Sequence, residues 1–210
     1  MSSKTNLPFL QSGGTVLSDR DIKLAIKTGY LKWKSPFPLE TQPSSIDLHL
    51  SKTILIFQRR KVKGAVIDLK KPVDQYVEYE VLDKENGTVV YPHEFILGVT
   101  REWIALPNQI LANVEGKSSL GRLGLVIHAT AGFIDPGFSG HVTLEITNLT
   151  EQPLIIYPNM AIGQIRFTVM TSPAEMLYGD PKLGSKSYFN KYSKNPKPIA
   201  SQYWKNFKKG

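Results

Sequence analysis

From residue 45 onward the chain breaks into short runs rich in Val, Ile, Leu, Thr and Tyr: SIDLHL, TILIF, YVEYEVL, EFILGVT, EWIAL, ILANVEG, GLVIHAT, HVTLEIT, PLIIY and IGQIRFTV, punctuated by Pro, Gly and Asn. Short β-branched and aromatic runs at this spacing predict antiparallel strands, and about ten of them in one chain predict a mainly β fold, a jelly roll or distorted β-barrel. One helix is expected before them, in LSDRDIKLAIKTGYL, where Ser18 is placed to cap and Asp21 follows three residues later as in a capping box. With 210 residues, 41% hydrophobic and 21% charged, the chain suffices for one core, so residues 1–210 are read as a single domain. Within it, 1–16 are expected to be a mobile lead-in, 17–177 the β core and 178–210 a flexible basic tail.

No apolar run approaches the ~20 residues of a membrane-spanning helix, and MSSKTNLPFLQSGG has neither a sustained apolar stretch nor a small-residue cleavage site. The expected location is the cytoplasm, with no membrane partner. Cysteine is absent, which excludes disulfides, thiolate zinc sites and a Cys nucleophile together. The net charge of +8 is not spread evenly, because eight lysines and no acidic residue lie between Lys182 and Gly210 and the remainder is neutral. Interleaved with Tyr188, Phe189, Tyr192, Tyr203 and Trp204, these lysines fit an RNA-binding arm or a segment that closes over a polyanionic small molecule. A nucleic-acid-binding module would carry cations over one face of the body, so the second reading is preferred.

The chemistry-bearing stretch is EGKSSLGRLGLVIHATAGFIDPGFSGHVTLEITN, residues 115–148. KSSLGR offers two hydroxyls, a lysine, an arginine and nearby glycines, a combination that suits phosphate, although such clusters are often ordinary turns. In HVTLEIT, alternation places Val142, Leu144 and Ile146 on one face and His141, Thr143, Glu145 and Thr147 on the other. Glu145 is then either solvent-facing or lining a pocket in which it could move a proton, and periodicity does not choose between them. Asp135, before Pro136, could equally serve only to start a turn.

EGKSSLGRLGL, HATAGFIDPGFSGHVTLEITN, NMAIGQIRF and LYGDPKLGSK, in this order and spacing, resemble the successive motifs of the dCTP deaminase branch of the dUTPase-like superfamily, over roughly residues 17–207. The resemblance implies a dUTPase-like jelly roll and metal-free deamination of dCTP at C4, with Glu145 as proton shuttle and Ser118 fixing the attacking water. It implies that Lys117, Ser119 and Arg122 hold the triphosphate, that Asp135 bonds the deoxyribose 3′-hydroxyl beside Phe133, and that Leu120, Gly121, Thr143, Leu144, Gln164 and Tyr178 are further substrate contacts. It also implies Mg²⁺ carried on the triphosphate, no zinc, a homotrimer with shared active sites, and dTTP as an inhibitor. Lacking cysteine, the chain cannot build the zinc site of the other large deaminase class. The Gly132-Phe133 pair before Ile134-Asp135 is similar to the two-activity group that takes dCTP through dUTP to dUMP, whereas deaminase-only relatives often carry a His-Arg pair there. A plain dUTP diphosphatase typically lacks a glutamate at the position of Glu145. The tail departs from the family pattern: GSKSYFNKYSKNPKPIAS carries a few extra residues, so Lys186 and Lys191 both stand as the phosphate-contacting lysine, and Asn195 falls near the place of a family glutamine.

Overall fold

In the computed structural model, which describes residues 7–57, 66–130, 132–183 and 191–207, the expected runs become antiparallel strands. In chain order these are β1 (Lys32–Lys34), β2 (Thr41–Gln42), β3 (Ser45–His49), β4 (Thr53–Phe57), β5 (Val77–Val81), β6 (Thr88–Val90) and β7 (Phe95–Ala105). They continue as β8 (Ile110–Gly116), β9 (Leu125–Val126), β10 (Phe133–Ile134), β11 (Ser139–Asn148), β12 (Leu154–Ile156) and β13 (Ala161–Val169), with helix α1 (Asp19–Lys27) at the front and a single helical turn, α2 (Ser118–Gly121), after β8.

One sheet runs β5-β4-β7-β11-β9 with β1 also beside β7, the other runs β10-β8-β13-β3-β2, and β12 with β6 makes a separate ribbon. No closed barrel forms among the described residues, which corrects the barrel alternative in the sequence expectation. The edge strands β2, β9 and β10 are each two residues long, too short to carry the seam that closure needs. EFILGVT and EWIAL, expected as two strands, are one long β7. Opposite its middle, β11 passes from His141 against Trp103 to Thr143 against Val99, so Thr100, Arg101 and Glu102 bulge out of the ladder.

The chain crosses between the sheets at Leu50 and Ser51, where Leu50 N–H donates to Met160 O on one side and Ser51 N–H to Val99 O on the other. Both sheets turn their apolar positions inward at this seam: Ile46, Leu48, Leu50, Ile54, Ile96, Ile104, Leu144, Ile146, Ile165 and Phe167 are buried in one cluster. Each such side chain removed from water is worth roughly 1.5–3 kcal/mol. The expected helix forms as read, with Ser18 Oγ accepting from Asp21 N–H at 3.4 Å and Ile22 and Ala25 on its buried face.

The lead-in is ordered from residue 7, where a mobile segment was expected. Leu7 and Phe9 are buried around a short 3₁₀ turn over Pro8–Gln11, and Gly14 N–H donates to Val169 O at 2.7 Å. Two apolar residues flanking a proline are enough to anchor the segment on the end of β13. The tail residues 191–207 are likewise seated on the body, with Pro196 and Pro198 buried. Lys186, Tyr188 and Phe189, all singled out in the sequence, lie outside the described residues.

Candidate active site

Along β11 the expected alternation holds for Val142, Leu144 and Ile146, which are buried, and for Thr143, Glu145 and Thr147, which are half-buried. His141 breaks it: parity groups it with Thr143, yet beside the bulge its side chain is only 4% exposed. Leu144 belongs to the core, so any contact it makes with a ligand is through its backbone.

Glu145 is held by the segment that leaves β9. Its backbone N–H donates to Ile127 O at 3.0 Å, and the chain then turns so that three groups converge on one carboxylate oxygen. Oε2 accepts from Ala129 N–H at 3.0 Å, Thr130 N–H at 2.8 Å and Thr130 Oγ1 at 3.3 Å. That turn is why GLVIHAT keeps only two strand residues: its other donors are spent on the carboxylate rather than on a ladder. Among the described residues the three donors all go to Oε2, and Oε1 accepts no hydrogen bond. Glu145 and Thr143 of β11 line a cavity of about 330 Å³ whose walls include Leu55, Phe57, Val77 and Leu97 and the tail residues Ile199, Ala200 and Ser201.

A second cavity, of about 440 Å³, is lined by Lys117, Ser118, Ser119, Gln164, Arg166 and the segment 42–45. The α2 turn sets it up: Leu120 packs against the core, which leaves Ser118, Ser119, Gly121 and Arg122 exposed. Arg122 N–H donates to Ser118 O at 3.0 Å, closing the turn, although Arg122 lines neither cavity. The polar side chains of β3 support this cavity from below. Lys117 Nζ donates to Asp47 Oδ2 at 2.6 Å, Ser45 Oγ donates to Gln164 Oε1 at 3.1 Å, and Arg166 Nε pairs with Glu115 at 3.4 Å. Asp47 is 7% exposed, and its other oxygen is buried without a partner among the described residues. Sequence reasoning missed Ser45, Asp47 and Arg166; the polar period of two in SIDLHL was the available signal.

No residue lines both cavities, so within one chain the structure does not bring Ser118 and Glu145 into a single pocket. Asp135 and Phe133 stand apart again, both exposed on and after β10, with Tyr178 N–H donating to Pro136 O at 2.8 Å and the Tyr178 ring 5.6 Å from Phe138. Gly132 is at a close approach of strands: a Cβ there would lie 3.1 Å from Val114 O and 3.5 Å from the His128 ring. Lys191 is exposed and lines neither cavity. A third recess, of about 770 Å³ between β4, β5, β6 and β7, contains none of the expected residues. Its rim carries Glu78, Glu80, Asp83 and Glu94, a field that repels a polyphosphate. Among the described residues no cluster of three His, Asp or Glu could hold a metal ion, and no helix is long and apolar enough to cross a membrane.

Residues 16–170 match the family model described as dCTP deaminase-like. Over 192 residues, 91% of this chain and 98% of the relative, the sequence is 43% identical to the "dCTP deaminase, dUMP-forming" of Corynebacterium jeikeium. Over 173 residues, 81% of this chain and 88% of the relative, it is 43% identical to the protein of the same name in Halobacterium salinarum. The solved 2′-deoxycytidine 5′-triphosphate deaminase of Agrobacterium tumefaciens shares the fold, with a TM-score of 0.59 and 23% identity over 74% of this chain; the match spans only 47% of that longer chain. The family match covers the Ser118 cavity, the tight segment at Gly132, the whole of β11 and the body walls of the Glu145 cavity, though not its tail wall at Ile199, Ala200 and Ser201, and the chain belongs to the dCTP deaminase-like family.

Proposed function

We infer that the chain deaminates dCTP and carries the product on to dUMP. The observation that supports this most is near full-length identity of 43% to relatives named for that reaction, in a chain whose β11 presents Glu145 to a cavity. Glu145 takes a proton from the water that attacks C4 of cytosine and gives it to the ring N3, then passes the proton of the new C4 hydroxyl to the amino group, which leaves as ammonia as the C4 carbonyl forms. The donors from Ala129 and Thr130 hold Oε2, which leaves Oε1 for proton transfer. Lys117, Ser119 and Arg122 bind the triphosphate, Ser118 fixes the water, and Thr143, Gln164 and Tyr178 complete the substrate contacts. Asp135 bonds the 3′-hydroxyl and then orients a second water toward the α-phosphorus, so that dUTP loses pyrophosphate. Mg²⁺ carried on the phosphate oxygens of the substrate would screen phosphate charge.

The division of Ser118 and Glu145 between two cavities supports a homotrimer in which neighbouring chains complete each site, with dTTP competing there as an inhibitor in the cytoplasm. Incubation with dCTP and Mg²⁺, with products separated and counted, tests the reading. Equal amounts of ammonia, dUMP and pyrophosphate are expected, and dUTP supplied alone should also yield dUMP. Stoichiometric dUTP without pyrophosphate would reduce the function to deamination, and absence of ammonia would remove it.

A further inference from the structure

We propose that His141 is a positioning residue that fastens the C-terminal tail, and through it the wall that Ile199, Ala200 and Ser201 contribute to the Glu145 cavity. The kinetic part of this inference rests on the function inferred above; the structural part does not.

Both ring nitrogens of His141 are committed. Nδ1 lies 3.1 Å from Thr100 O, an acceptor, so it carries the hydrogen. Nε2 therefore presents a lone pair, and Ser193 N–H of the tail donates to it at 3.0 Å. The neighbouring Tyr192 ring stacks on the imidazole with centroids 5.7 Å apart and an interplanar angle of 28°. On the other side, Lys34 Nζ lies 5.9 Å from the Tyr192 ring and 5.0 Å from Trp103. From this anchor the tail runs over the body, where Ser51 Oγ donates to Pro196 O at 3.0 Å and Tyr79 OH to Pro198 O at 3.1 Å. It then reaches the cavity at Ile199. His141 and Glu145 are four residues apart on β11, about 13 Å along an extended strand, so one strand carries both the carboxylate and the anchor of the wall beside it.

The fastening is sensitive to protonation. A second ring proton would set Nε2–H against Ser193 N–H, two donors with no acceptor between them. Burial holds the imidazole below its ordinary value of 6.5 and Arg101 adds to this, while the backbone carbonyls of Thr100 and Glu102 and the Glu102 carboxylate, itself paired with His49, oppose it. On the far side of the stack Lys34 of β1 stands 5.9 Å from the Tyr192 ring, and Lys191 and Lys194 flank the Tyr192-Ser193 pair in the tail. Because the folded value is lowered, the attachment is complete above pH 6.5 and is lost as pH falls through the lowered value.

Hydrogen–deuterium exchange on the full-length, unliganded protein tests this, with rates corrected for intrinsic exchange. Ser193→Pro removes the donor from an exposed tail position and leaves the core alone. His141→Phe keeps a ring without the acceptor, and His141→Gln restores an acceptor near the Nε2 position that does not titrate. Ser193→Pro and His141→Phe should raise exchange across residues 194–201 about 3- to 10-fold, the loss of one net hydrogen bond. They should raise KM for dCTP by a similar factor while kcat stays within about twofold. In the wild type tail exchange should rise as pH falls from about 8 to about 5.5, and His141→Gln should keep the protection and abolish that pH dependence. Unchanged tail exchange in Ser193→Pro, or wild-type tail exchange that ignores pH, would overturn the proposal. Should the protein fail to release ammonia from dCTP, the exchange results still decide the role of His141.

Discussion

The two cavities differ in how they are built. Around Ser118 the residues are the two hydroxyls of a one-turn helix, Lys117 just before it, and Gln164 and Arg166 of β13, backed by a buried aspartate, and the space is open and polar. Around Glu145 the walls are aliphatic and aromatic, with one carboxylate fixed by three donors on one oxygen. The first arrangement suits holding a charged ligand, because exposed cations can reorganise around phosphate at little desolvation cost. The second suits moving a proton, because a low-polarity wall strengthens each electrostatic contact and fixed donors need not reorganise. On the proposed function, binding and chemistry would thus occupy separate parts of one chain, and a complete site would require them to meet.

The sharpest way to break this division is Glu145→Gln. Glutamine keeps a carbonyl oxygen to accept from Ala129 and Thr130, so the turn over 127–130 should survive, but an amide cannot take and return a proton. Ammonia release should fall by about 10²–10⁴-fold at unchanged circular dichroism and melting temperature. Near-normal turnover by a folded Glu145→Gln protein would take the proton-transfer role away from this cavity.

On the binding side, if Arg122 holds the triphosphate as proposed, Arg122→Ala should lower kcat/KM for dCTP by about 10- to 150-fold, the loss of one charge-assisted contact. Mixing tests whether the two sides meet between chains. Ser118→Ala and Glu145→Gln proteins, each impaired alone, should regain about a quarter of wild-type sites when unfolded and refolded together one to one, since random pairing yields that share of intact combinations. No recovery, with a monomer by sedimentation, would place both halves within one chain.

Smaller again is Thr130→Val, which deletes one of the three donors to Glu145 Oε2 and leaves both backbone donors in place. A fall of about 3- to 10-fold in kcat with little change in KM is expected. An equal fall in both parameters' ratio through KM alone would mean that the hydroxyl serves binding rather than the carboxylate.

The contrast between the cavities also explains what could be read in the sequence. The strands were legible because alternation and turn residues are local signals, and so was the Ser18 cap, whose partner is three residues away. The face of Glu145 was legible for the same reason. What was missed depends on contacts far apart in the chain. Asp47 meets Lys117 across 70 residues, and His141 is turned inward by a bulge in the opposing strand, which no pattern in HVTLEIT encodes. The order of residues 7–16 was missed because one Leu-Pro-Phe anchor is too short to show periodicity. The tail was legible in charge but not in position, since Pro196 and Pro198 are buried through carbonyl contacts that any residue could make.

The smallest effect expected separates two roles joined in the Gly132-Phe133 pair. Replacing both by His-Arg confounds them, because a Cβ at residue 132 would sit 3.1 Å from Val114 O, while Phe133 is 56% exposed and has room to change. Gly132→Ala should therefore act on the β8–β10 contact, lowering the melting temperature by about 2–4 °C for each kcal/mol of crowding while leaving the ratio of pyrophosphate to ammonia constant. Phe133→Arg should leave the melting temperature nearly unchanged and lower pyrophosphate release relative to ammonia severalfold, since it places bulk and charge next to Asp135 without touching the Glu145 cavity. If instead Gly132→Ala shifts the product ratio and Phe133→Arg does not, the glycine is needed for backbone approach to the nucleotide, and the strand contact with Val114 is incidental to the second reaction.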